Sequence, residues 1–153
     1  MHMNRKPRLH SGRCRRQRGV GLIEVLVAVL VMAIGLLGLA GLQIRTLRDN
    51  ESASQRGVAV MQTHSIIDAM RADRTKATTD GYDIALADAT PTGSTFRDLA
   101  IASWRTSLKD ALGSAATGAI DCNSKSCTIT VQWDDSRATQ GADTFSITTV
   151  AQL

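Results

Sequence analysis

Large aromatic side chains are scarce in this 153-residue chain: two Trp, one Tyr and two Phe, 3% of the total. So few rings limit the core to that of one small domain. Cysteine is equally sparse. Cys14 lies near the N-terminus, leaving only Cys122 and Cys127 beyond it, enough for one pair and too few for a disulfide framework. Acidic residues are missing altogether before Glu24, whereas residues 1–19 hold Arg5, Lys6, Arg8, Arg13, Arg15, Arg16 and Arg18. The formal net charge of +4 therefore collects at one end, and residues 20–153 carry 11 basic against 14 acidic side chains. That balance excludes a basic nucleic-acid face on the folded part. Catalytic signatures are absent too: the chain has no G-x-S-x-G elbow, no P-loop and no dinucleotide fingerprint. Past the first 19 residues His64 is the one histidine, so a zinc site lacks ligands. Asp80, Asp83 and Asp88 lack the alternating spacing of a calcium loop and read as a solvated acidic stretch. No residue is nominated for catalysis, for a metal or cofactor, or for a small-molecule substrate.

What the chain does have is one long apolar run. From Val20 to Leu42 every residue except Glu24 is apolar or glycine. A helix of that length rises roughly 34 Å, enough for a hydrocarbon core of about 30 Å. Seven positive charges before it, against Arg45 and Arg48 after it, place residues 1–19 in the cytoplasm and the C-terminal part outside. A conventional secretory signal is the rival, because Gly38-Leu39-Ala40 offers a small-x-small site that would leave Gly41 first. Against it, the run exceeds the usual 7–15 residues of such a signal. Glu24 also costs about 2.5–3.5 kcal/mol inside the bilayer, and plain export gives nothing in return.

The stretch Arg18-Gly19-Val20-Gly21-Leu22-Ile23-Glu24-Val25-Leu26-Val27-Ala28 closely resembles the prepilin signal of type IV pilins and type II secretion pseudopilins. The resemblance implies that a prepilin peptidase removes the basic leader, residues 1–19, by cutting between Gly19 and Val20. It also implies methylation of the new Val20 amine and a role for Glu24 as the fifth mature residue in assembly register. The family usually has Phe and then Thr at the first two mature positions, where this chain has Val20 and Gly21. Further on, Ala33-Ile34-Gly35-Leu36-Leu37-Gly38-Leu39-Ala40-Gly41-Leu42-Gln43 resembles the minor pilins called type IV pilus modification proteins, the PilV family. Gly35, Gly38 and Gly41 would each weaken a water-exposed helix by roughly 1 kcal/mol relative to Ala, making this the flexible part of a long helix. Their spacing of three does not make a GxxxG pairing face. The family resemblance implies an α+β, type IV pilin-like fold, a long N-terminal helix packed on a small antiparallel sheet. It implies an inner-membrane anchor at 20–42, a periplasmic headgroup at 43–153, and later a place in the extracellular pilus. The implied partners are the prepilin peptidase, other minor pilins, the major pilin, the inner-membrane assembly platform and a tip adhesin.

Beyond the run, no proline falls between Gln43 and Asp73, and Ala59, Val60, Thr63, Ile66, Ile67 and Met70 form one amphipathic stripe. The helix is thus expected to continue from the membrane over about 50 residues. Residues 75–93 read as loop. Ser94 or Thr95 caps a second helix through Leu112, with Gly113 just past its end and Ile101, Trp104, Leu108 and Leu112 on one face. Strands are expected at Gly118–Cys122, Thr128–Trp133 and Asp143–Val150, as an antiparallel meander. Asn123-Ser124-Lys125-Ser126 would set Cys122 opposite Cys127, about 4.5–5.5 Å apart at Cα and within disulfide range in an oxidising compartment.

Overall fold

The computed structural model describes residues 19–153 except Asp80, Ser124 and Lys125. Residues 1–18, which hold almost the whole basic leader, lie outside the described residues, as does the middle of the turn between the two cysteines. Among the described residues three helices and three strands follow in order: α1 (Leu22–Ala72), α2 (Arg74–Ala77), α3 (Phe96–Leu112), β1 (Thr117–Cys122), β2 (Ser126–Trp133) and β3 (Phe145–Gln152). The chain divides into two units, residues 1–39 and 40–153. In the first, α1 begins with Glu24 N–H donating to the Gly21 carbonyl at 2.9 Å, and no described side chain is buried. The same helix runs through Gly35, Gly38 and Gly41 without a break.

The second unit is a long helix packed on a small three-stranded antiparallel sheet, an α+β layout consistent with a pilin-like fold. Ser52, Ala59, Thr63, Ile66, Ile67 and Met70 are the buried residues of α1. Val60, expected in this stripe, is instead 45% exposed. A step of 100° from Ala59 carries it to the rim of the covered arc. Thr95 caps α3 as expected, its hydroxyl oxygen accepting from Asp98 N–H at 3.2 Å. At the other end Gly113 takes φ 103°, a conformation that a Cβ would strain, and its N–H donates to the Lys109 carbonyl. Ile101, Trp104, Leu108 and Leu112 are all buried. Trp104 lies so close to β1 that a Cβ at Gly118 would run into its six-membered ring, so that glycine sets the spacing of helix and sheet.

The sheet order is β1-β2-β3, antiparallel throughout. Cys127, Ile129, Val131 and Trp133 of β2 fill the core with 0–1% exposure. The expected strand ends move by one to two residues. β2 starts at Ser126 because Ser126 pairs with Gln152, and β3 starts at Phe145, not Asp143, because Trp133, the last residue of β2, pairs with Phe145. The stretch expected as loop holds two elements too short for periodicity to reveal. One is the single turn α2. The other is a bridge in which Ile84 exchanges both backbone hydrogen bonds with Ile120 of β1, each at 2.9 Å.

Candidate functional site

The expected processing site lies at the start of the described chain. Gly19 and Val20 are exposed, ahead of the first turn of α1, and Glu24 is exposed within that turn. A Cβ built at Gly19 would meet nothing within 4 Å, so this chain's own packing does not require glycine there. The same is true at Gly35, Gly38 and Gly41. Large apolar side chains along the segment are bare, with Leu22 at 85% and Leu37 at 74% exposure. Nearly complete exposure of so apolar a surface is untenable in water, where burying a Leu stabilises by about 1.5–3 kcal/mol. α1 is long and apolar enough to cross a membrane, with a mean hydropathy of 2.8 over its most apolar stretch.

In the second unit the structure joins Cys122 to Cys127. They are register partners, 4.0 Å apart at Cα, with their Sγ atoms at disulfide distance. The pair is closer than the expected 4.5–5.5 Å. Ile120 points its backbone N–H and C=O away from β2, toward Ile84. Cys122, two residues on, therefore occupies a non-hydrogen-bonded position, where facing residues approach most closely. Just beyond, Asn123 N–H donates to the Ser126 carbonyl, and Ser126 N–H to Asn123 Oδ1.

Two polar arrangements escaped the sequence reading. Arg105 is 2% exposed within the apolar face of α3, and its guanidinium donates only to backbone carbonyls: Gly118 at 2.7 and 3.1 Å, Ala85 at 2.6 Å and Asp88 at 2.6 Å. Burial holds its pKa below the usual arginine value, with the nearby Asp88 charge opposing. A basic residue one position after Trp104, inside the stripe Ile101-Trp104-Leu108, was the available signal. Arg97, two turns earlier, donates to the Gly81 and Asp83 carbonyls at 3.0 and 3.1 Å and pairs with Asp98 at 2.9 Å. Hydrogen bonds from Thr95 and Arg97 lower the Asp98 pKa. Together the two arginines strap residues 81–88 onto α3 and β1. The strap encloses Tyr82, fully buried, whose pKa is pushed up to about 12 by burial and then by the charge of Asp73.

The second arrangement centres on Asp135, 3% exposed just past β2. Its carboxylate accepts from Ser52 Oγ at 2.8 Å and lies 3.7 Å from Arg56, whose guanidinium sits 4.3 Å over the Phe145 ring. The residues are 83 apart in sequence, and this latch fixes α1 to the end of the sheet. Beside it is a groove of about 420 Å³ lined by Asp49, Ser52, Ala53, Arg56, Ala138, Thr139 and Gln140. Its Ser52 and Arg56 are engaged with Asp135, its Asp49 accepts from Thr139 N–H at 3.4 Å, and no histidine lines it. Among the described residues no three His, Cys, Asp or Glu side chains gather as a metal site would require. His64 is exposed on α1.

A family model described as the prokaryotic N-terminal methylation motif matches residues 14–40. No curated protein and no solved structure matches the chain. The matched segment contains the Gly19–Val20 step, Glu24 and the glycines at 35 and 38. A motif of this kind supports a type IV pilin or pseudopilin, implying processing by a prepilin peptidase and assembly with other pilins.

Proposed function

We propose that this chain is a minor type IV pilin of the PilV type, a structural subunit and not an enzyme. In this reading residues 1–19 are removed on the cytoplasmic side of the inner membrane, and Val20 becomes the methylated N-terminus. Residues 20–42 anchor the subunit and later line the filament core, while 43–153 form the periplasmic headgroup, stapled by a Cys122–Cys127 disulfide. With other minor pilins it primes pilus assembly and stays near the tip, supporting adhesion and twitching motility. The observation that carries the reading is the methylation motif at 14–40, with Gly19 in open space. A glycine that the fold does not need answers instead to a peptidase that must close around the backbone.

Glu24 fits the same reading. Cleavage leaves a positive amine at Val20, one helical turn from the carboxylate, and the two can pair. In a bundle of subunit helices an unpaired Glu24 costs about 3–5 kcal/mol, as when one member of a buried pair is removed. Pairing with a neighbour's amine relieves that cost at one axial offset only, so the residue sets register.

The test is the mature N-terminus. Edman or mass-spectrometric sequencing of the membrane-bound protein should begin at Val20, and a Gly19→Val strain should accumulate full-length precursor. A mature protein beginning at Gly41, or normal processing in the Gly19→Val strain, would overturn the proposal. The motif is shared with pseudopilins of type II secretion. Recovery of the subunit in sheared pili supports the pilus, and loss of secretion with intact pili in a deletion strain supports the pseudopilus.

A further inference from the structure

The chain between β2 and β3, residues 134–144, bonds to α1 and leaves the 420 Å³ groove between them. One wall is the α1 face that carries Asp49, Ser52 and Arg56, at i, i+3 and i+7. The other wall is closed on itself: Asp135 N–H donates to the Ala142 carbonyl at 3.0 Å, Ala138 N–H to the Asp135 carbonyl at 3.0 Å, and Gly141 N–H to the Ala138 carbonyl at 3.2 Å. A Cβ at Gly141 would strike the Asp135 carbonyl, so so tight a turn needs glycine there. The groove is therefore formed before any ligand arrives, which spares binding the entropy of ordering it.

Several polar groups in it are unengaged. Arg56 is held 4.3 Å over the Phe145 ring and 3.7 Å from the Asp135 carboxylate, yet none of its five donors makes a hydrogen bond among the described residues. Asp49 makes no ion pair among them, and its one bond, at 3.4 Å from Thr139 N–H, is longer than the usual range of about 2.7–3.2 Å. The Thr139 hydroxyl and the Gln140 amide group have no partner among the described residues either. Asp49 and Arg56 stand two turns apart, about 10 Å along the axis. An acceptor thus marks one end of the groove and a forked donor the other.

The lining selects the ligand by exclusion. An anion meets a net negative charge, because Asp49 and Asp135 outnumber Arg56, and a carboxylate at Arg56 would lie beside that of Asp135. An apolar molecule would strip water from Asp49 and Arg56 and give no bond in return. Peptides dock on a free strand edge, in an apolar groove or in an aromatic-lined slot. Here one wall is a helix, the other uses its backbone on itself, and no aromatic side chain lines the groove. What fits is a neutral molecule bearing donors and acceptors side by side along its length. We infer that the groove binds a saccharide of one or two rings, for which its volume, within the range of about 300–1,000 Å³ of small-ligand clefts, leaves room. Asp49 accepts from hydroxyls at one end, Arg56 donates to hydroxyl oxygens at the other, and Thr139 and Gln140 bond the middle. The inference goes beyond the filament reading and does not need it, because the groove lies within residues 40–153 and is complete in one unassembled chain.

The experiment uses the full, isotope-labelled chain in micelles of a sugar-free detergent. It is titrated with glucose, galactose, mannose and N-acetylglucosamine, and with their methyl glycosides. The free sugars stand for a soluble ligand and the glycosides for the end of a glycan chain, and saturable binding of either supports the inference. Saturable shifts of the Thr139 and Gln140 backbone amides are expected, with none from inorganic phosphate or lysine. Asp49→Asn keeps an acceptor for Thr139 N–H but loses the charge, and should weaken binding at least about tenfold. Gln140→Ala removes an exposed side chain that bonds to nothing in the fold, and should weaken binding about fivefold with the unfolding temperature unchanged. It carries the test if Asp49→Asn misfolds. No saturable shift with any sugar up to about 50 mM, parental affinity in both variants, or tighter binding of phosphate or lysine than of every sugar would overturn the inference.

Discussion

Replacing Arg105 by Met tests whether the strap is held by geometry or merely by bulk. The side chains have similar length, so the volume change is small, but four hydrogen bonds to three carbonyls disappear. Each buried carbonyl left without a partner costs about 1–3 kcal/mol. Against this, removing a buried cation recovers several kcal/mol of desolvation, a cost already visible in the lowered Arg105 pKa. The difference leaves a net loss of about 3 kcal/mol, a large fraction of the roughly 5–15 kcal/mol that stabilises a domain. For a unit of the size of Ala40–Leu153 that corresponds to a fall in Tm on the order of 15 °C. Arg105→Lys separates charge from shape: one ammonium keeps the charge but cannot span three carbonyls, so it should lose about 2 kcal/mol. Thermal unfolding followed by the fluorescence of Trp104 and Trp133, both buried, measures all three proteins. If the Met variant unfolds within about 2 °C of the parent, the carbonyls are satisfied without the guanidinium and the strap argument fails.

Tyr82 is the single tyrosine, so its absorbance at 295 nm reports one group. Its folded pKa, pushed up to about 12, lies above the ordinary value of 10, so the fold retains a proton that the unfolded chain releases. The resulting stability is complete below pH 10 and disappears as pH rises toward 12. Tyrosinate should therefore appear only with unfolding, and free ionisation near pH 10 in the native protein would refute the burial. Glu24→Val should leave membrane insertion and Gly19 cleavage intact but deplete the subunit from sheared filaments; wild-type recovery by immunoblot would remove the register role. Cys127→Ser should cost about 2 kcal/mol, because so short a loop stores little chain entropy and Asp83 still holds the Cys122 end of β1. Urea midpoints check this, and two alkylatable thiols in the native parent would show that the pair is unbridged.

Legibility in the sequence followed the range of the interaction. The Thr95 cap, the Gly113 stop and the face of Ile101, Trp104, Leu108 and Leu112 were readable because cap and stripe are local patterns. The cysteine register was readable because a short turn fixes it. The methylation signal, too, is a contiguous motif. The strap and the latch were not readable. Arg105 reaches carbonyls 13 to 20 residues away, and Ser52 finds Asp135 across 83 residues, partnerships that no periodicity encodes. Val60 was misplaced because an i, i+1 pair straddles the stripe, and only the packed neighbours decide where the covered arc ends.

The open space around Gly19, Gly35, Gly38 and Gly41 divides the chain into two mutational worlds. A screen for steric misfits, whether by protease resistance or soluble yield, meets no clash at these four positions, because an added methyl group there touches nothing among the described residues; at positions 35, 38 and 41 it would strengthen the helix by roughly 1 kcal/mol. Such a screen instead reports Gly118, where the same methyl group strikes Trp104. Scoring on processing and export should give the opposite ranking. On the proposed reading, residues 1–42 and 43–153 should therefore be exchangeable between chains as separate cassettes, each judged by its own assay.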